Sequence, residues 1–128
     1  MAVISTSNPP TVRAPSGYSH GIVVQDAERR LVISGQVGMS LDGSVPNTGE
    51  GQIAQAFANL RAVLDANEMS IHNVVKVTTF LTDRALLASY RAARGAVFAD
   101  HAPASTLLFV AGLADPRFMV EIEAEAVA

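Results

Sequence analysis

The sequence predicts an α+β domain, a β-sheet with two helices packed on one of its faces. Three observations carry that prediction. Two windows place apolar residues at helical spacing. Five short runs are dense in β-branched residues, and the last of them alternates cleanly. The order is β-β-α-β-α-β-β, which sets both helices against one sheet.

The elements read as follows. Residues 7–19 are rich in Ser, Pro, Gly and Asn and form an irregular N-terminal loop. Ile22 to Gln25 and Leu31 to Ser34 are β-rich runs around Asp26-Ala27-Glu28-Arg29, which predicts a hairpin. Gly35 to Gly51 carries six breakers and predicts a long loop with room for a short strand. Residues 50–67 form a helix whose stripe is Ile53, Phe57, Leu60 and Leu64; Thr48 caps it, and Gln52, Gln55, Asn59 and Asp65 lie off the stripe. Asn73 to Thr82 is a central strand. Asp83 caps a second helix to about Asp100, striped by Leu86, Tyr90, Ala93 and Val97 and widened by Leu87 and Phe98. Pro103 disfavours helix at the residue before it. Ser105 to Ala111 is β-rich, and Gly112 to Arg117 turns. From Phe118 to the end, Phe118, Val120, Ile122, Ala124 and Ala126 point one way; Met119, Glu121, Glu123 and Glu125 point the other.

The bulk numbers bound the function. The 128 residues make one domain, 1–128, large enough for a core without disulfides or metal. Hydrophobic residues are 49% and charged ones 16%, so apolar surface should reach the outside, and a subunit interface is its physical outlet. The net charge of −3 and the lone Lys76 leave electrostatic capture of nucleic acid unsupported. No cysteine exists for a disulfide, thiolate nucleophile or Cys-type zinc site, in keeping with a reducing cytoplasm. The first 19 residues lack the apolar core of a secretory signal, and no run is long and apolar enough to span a membrane.

Three constellations carry chemistry or mimic it. The row Glu121, Glu123, Glu125 reads either as a solvated strand face that resists aggregation or as the source of one pocket carboxylate that orients a water. Gly49-Glu50-Gly51-Gln52-Ile53-Ala54 fits G-x-G-x-x-A, but the apolar strand a dinucleotide site needs does not precede it, so no cofactor is expected. His20, His72 and His101 show no ligand spacing, so no metal is expected. His72 reads as a surface residue and His101 as a partner for a helix C-terminus. Arg84, Arg91 and Arg94 read most simply as a solvated helix face.

Several segments together resemble the RidA-like (YjgF) family over nearly the whole chain: Gly17-Tyr18-Ser19, Val32-Ile33-Ser34-Gly35-Gln36, Ala56 to Leu64, Val74 to Asp83, Pro103-Ala104-Ser105-Thr106, and Val120-Glu121-Ile122-Glu123-Ala124. The resemblance implies a chorismate-mutase-like fold with a mixed sheet, a homotrimer with clefts between subunits, and hydrolysis of reactive enamines and imines to a carbonyl compound plus ammonia without a cofactor. It assigns Glu123 to hold the water and Tyr18 to line the cleft as a proton donor, with Ser34 and Gly35 in the wall. One position departs. Where the family's motif has an arginine for the substrate carboxylate, this chain has Ser105, which cannot replace a delocalised fixed charge. Arg91, on the second helix, and His20 are candidates to supply what is missing. The alternative is a non-catalytic trimer that binds a small metabolite or partner in the same clefts. RNA cleavage, sometimes attached to this family, fits poorly with the acidic balance.

Overall fold

The computed structural model describes residues 1–128. Its strands are β1 (Val3–Ser7), β2 (Gly21–Gln25), β3 (Arg30–Val37), β4 (Val74–Leu81), β5 (Ala104–Phe109) and β6 (Val120–Val127). Helix α1 (Gly49–Ala66) lies between β3 and β4, and α2 (Leu87–Phe98) between β4 and β5. Four strands make a mixed sheet in the order β3-β6-β4-β5. Only β4 and β5 run parallel, as their connection through α2 requires. No helix is long and apolar enough to cross a membrane.

Both helices cover the same face. The α1 stripe is buried as its spacing demands, with Ile53, Phe57, Leu60 and Leu64 at most 2% exposed. Thr48 Oγ1 accepts the Gly51 N–H at 3.1 Å and so caps the helix. The Asp83 carboxylate accepts the Ala85 N–H at 2.9 Å and opens a short 3-10 turn that leads into α2. Tyr90 of α2 is fully buried, stacked on Phe57 at 5.8 Å, and its hydroxyl is hydrogen-bonded to that of Thr79 on β4. Burial pushes the Tyr90 phenol pKa up, against the opposing pull of the Thr79 bond.

Four features differ from the sequence prediction. Residues 22–25 and 31–34 are strands but not a hairpin. β2 pairs antiparallel with β1 in a separate two-stranded sheet, and β3 pairs with β6. Asp26, at φ 56°, turns the chain away, and the Glu28 and Arg29 N–H groups donate to the Ala128 carbonyl. β1 itself lies where no strand was predicted. The loop after β3 contains no strand; Asp42 organises it by accepting Ser40 Oγ at 2.6 Å, Ser44 Oγ at 2.7 Å and the Ser44 N–H at 2.9 Å, which holds its carboxyl pKa at about 2. Gln52 is 1% exposed rather than off the core: its Nε2 donates to the Pro46 and Arg117 carbonyls, both at 2.9 Å, and its Oε1 accepts the Met119 N–H at 2.8 Å. This one side chain fastens the loops before α1 and before β6.

Candidate active site

Alternation along β6 decides which side chains can do chemistry. Val120, Ile122, Ala124 and Ala126 are buried under the helices. Glu121, Glu123 and Glu125 therefore project from the uncovered face. Their surroundings differ. Glu125 is paired with Arg30 at 3.0 Å. The Glu121 carboxyl lies on Gly35, where an added Cβ would come within 2.5 Å of its Oε2, so only glycine leaves it that room. Glu123 alone of the three is exposed, and its carboxylate, like that of Glu121, has neither ion pair nor hydrogen bond within the chain.

The register builds a site around Glu123. On one side it pairs with Thr78 of β4. On the other, Ile33 pairs with Ala124 and Gln36 with Ile122, so Ser34 and Gly35 form a β-bulge beside Glu123. Such bulges interrupt the ladder and re-aim side chains next to active sites. Glu123 lines a hollow of about 250 Å³ with Val32, Ile33, Lys76, Thr78, Ala124 and Glu125. The Lys76 ammonium donates to Thr106 Oγ1 at 2.7 Å across the same face. Three residues singled out from the sequence, Ser34, Gly35 and Glu123, are thus brought together.

Tyr18 and Arg91 meet elsewhere, in a hollow of about 380 Å³ lined also by Arg13, Ala14, Ser16 and Arg94. The N-terminal loop reaches this place because Ser19 is fastened to the start of β5. Its N–H donates to the Pro103 carbonyl at 3.1 Å and its buried hydroxyl to the Ala102 carbonyl at 2.6 Å. Gly17, at φ 75°, lets the loop close onto α2; a Cβ there would fall 2.7 Å from Arg94 Nη2. His20 meets the Tyr18 ring edge-on at 5.5 Å, while its Nε2 is hydrogen-bonded to the Arg13 carbonyl at 2.6 Å. His20 fixes the loop that carries both Tyr18 and Arg13.

Ser105 stands with neither group. It pairs with Val77, whose side chain is in the helix-side core, whereas Glu123 pairs with Thr78 on the open side. Within one chain the sequence-predicted residues therefore fall into two clusters, one around Glu123 and one around Tyr18 and Arg91. Lys76 and Thr78 belong to the first and were not candidates from the sequence, although period-2 alternation puts both on the Glu123 face. Arg13 and Arg94 belong to the second. His72 and His101 touch at 5.7 Å, and His101 Nε2 is hydrogen-bonded to the Val74 carbonyl at 2.7 Å, a tie between the end of α2 and the start of β4.

Known proteins share this architecture. Residues 9–128 match the family model described as Endoribonuclease L-PSP. The chain is 32% identical over 129 residues to the 2-iminobutanoate/2-iminopropanoate deaminase of Escherichia coli K12, covering 98% of this chain and 94% of that protein. It is 36% identical over 128 residues to the mouse protein of the same name, covering 98% and 90%. Among solved structures, the Rid-family protein YyfB of Yersinia pestis, described as of unknown function, aligns with a TM-score of 0.88 at 32% identity over 98% of both chains. The E. coli YjgF gene product aligns at 0.72 and 31% identity, over 94% of this chain and 93% of that one. By family model, sequence and fold together, the chain belongs to the Endoribonuclease L-PSP family, that of the RidA (YjgF) proteins.

Proposed function

We propose that this protein hydrolyses small reactive enamines and imines to a carbonyl compound and ammonia, in clefts between the copies of a homotrimer. The observation that carries the reading is the unpartnered Glu123 carboxylate beside the Ser34–Gly35 bulge, on a sheet face that no helix of the same chain covers. The enamine first tautomerises to its imine. Glu123 accepts a proton from a held water as the oxygen adds to the C=N carbon, and the nitrogen takes up a proton. The carbinolamine nitrogen then takes the proton held on Glu123 and leaves as ammonia, while the hydroxyl proton returns to the group that protonated the nitrogen, giving C=O and restoring both groups. One water is consumed and one ammonia released, with no redox step. The deaminase names of the E. coli and mouse relatives support this assignment.

Tyr18 is assigned as the proton donor to nitrogen and Arg91 as the grip on the substrate's carboxylate, in place of the absent arginine at Ser105. Both line a hollow separate from that of Glu123 in the same chain. The chemistry therefore needs the Tyr18 hollow of one copy to face the open sheet of the next. The same apolar exposure that favours such packing is present on that sheet, at Val32 and Leu108.

The test uses an imine generated in situ from an amino acid, with ammonia release as readout. Glu123→Gln should cut the rate about 10²–10⁴-fold, with the thermal midpoint unchanged. Wild-type protein no faster than buffer across a broad imine panel would remove the catalytic reading. It would leave the second one, a trimer that binds a small metabolite without turnover, which the absence of an arginine at position 105 favours.

A further inference from the structure

Nine side chains of this protein carry a fixed positive charge. Six have a partner within the chain. Arg29 and Arg61 donate to the Asn67 and Val97 carbonyls, Lys76 donates to Thr106, Arg84 lies over the Phe109 ring at 4.5 Å, and Arg30 and Arg117 are paired with Glu125 and Asp115. The remaining three are Arg13, Arg91 and Arg94. All three line the Tyr18 hollow, and no carboxylate lines it with them. In a chain of net charge −3, the unpaired cations are gathered in one place.

Three guanidinium groups around one hollow repel one another unless an anion joins them. One carboxylate satisfies a single guanidinium by a two-pronged charge-assisted hydrogen bond. A hollow with three has capacity for more. The guanidinium groups also come from two elements that the fold holds together, Arg13 from the N-terminal loop and Arg91 and Arg94 from one face of α2. The Gly17 backbone and the Ser19 bonds keep the loop pressed against the helix.

We propose that Arg13, Arg91 and Arg94 form a subsite for a doubly charged substrate, a 2-imino acid bearing a second anionic group, carboxylate or phosphate. The inference rests on the hydrolytic reading above and names its substrate class. Arg91 takes the carboxylate next to the C=N carbon, while Arg13 and Arg94 take the distal anion. Small monoanionic imines fill only part of the site.

The experiment measures binding of stable carbonyl products to the wild-type protein by calorimetry at low salt. The probes are 2-oxobutanoate as monoanion, 2-oxoglutarate as dicarboxylate and 3-phosphohydroxypyruvate as the phosphate-bearing acid. At least one of the two bearing a second anionic group should bind about tenfold or more tightly than 2-oxobutanoate, and which one does so identifies the distal group. The preference should shrink as salt rises. Arg94→Gln and Arg13→Gln should each remove most of it, and Arg94→Lys should restore part. Equal binding of all three probes by the wild type would overturn the proposal, whatever the variants do. So would a preference that survives both Gln variants, or displacement of 2-oxoglutarate by a short single-stranded RNA with a steep salt dependence. Ammonia release read in parallel separates the two claims: a preference for a second anionic group without turnover removes the hydrolytic reading alone, and turnover without that preference removes the subsite alone.

Discussion

The two faces of β6 are made by one strand and differ in every respect that matters. Toward the helices, Val120, Ile122 and Ala126 are fully buried and Ala124 is 4% exposed. Toward the other side stand Glu121, Glu123 and Glu125, with Val32 at 63% exposure on the neighbouring β3 and, beyond β4, Leu108 at 43% on β5. A single chain supplies one layer of helices, and a four-stranded sheet has two sides to cover. The first face holds the fold together. The second combines free carboxylate, bulge and bare apolar side chains, which is what a surface built for another molecule contains.

Truncation on the helix side should have the largest effect and sets the scale for the comparison. Ile122→Ala removes a fully buried side chain from the middle of the core and should cost about 2–5 kcal/mol in urea unfolding. A cost below about 1 kcal/mol would mean the helix layer is not what holds β6. Gln52→Ala should come next. It strands the Pro46 and Arg117 carbonyls and the Met119 N–H, a loss of about 2–3 kcal/mol, and it should loosen the turn into β6 before the sheet itself melts. Hydrogen exchange at Met119 and Val120 would show this as early loss of protection.

Residues whose environment is set by local period were legible in the sequence. The α1 stripe, the β4 run and the alternation of β6 all fall as predicted, because each side chain's direction follows from helix or strand geometry alone. What failed was partnership. The residue runs of β2 and β3 read as strands, but nothing local to Asp26–Arg29 says that one joins β1 and the other β6. Gln52 looked like surface because its partners are loop carbonyls six and 65 residues away. The candidate site divides in the same way. Ser34, Gly35 and Glu123 meet through strand register, which pattern can indicate. Arg13 and Arg94 meet only because Gly17 and Ser19 fold a loop onto a helix some 80 residues further on, and no periodicity records that. Ser105 was placed by motif alone; register turns it to the side of the sheet opposite Glu123.

The smallest expected effect is also the one that separates the two faces most sharply. Val32→Ser lies on β3 opposite Glu125, in the hollow of Glu123, and is already mostly exposed. For the chain by itself the change should be within about 0.5 kcal/mol, as for other exposed sites. In the proposed trimer the same side chain is taken out of water by a neighbouring copy, so its loss should weaken association instead. The expected result is a sedimentation profile that shifts toward monomer on dilution at concentrations where the wild type stays assembled, with dilute-limit stability unchanged. Equal assembly of variant and wild type on dilution would remove Val32 from the interface, and a wild type that is monomeric at every concentration would show the open face to be bare in solution. Glu123 would then have no wall opposite it, and a hydrolytic site could not be built there from two copies.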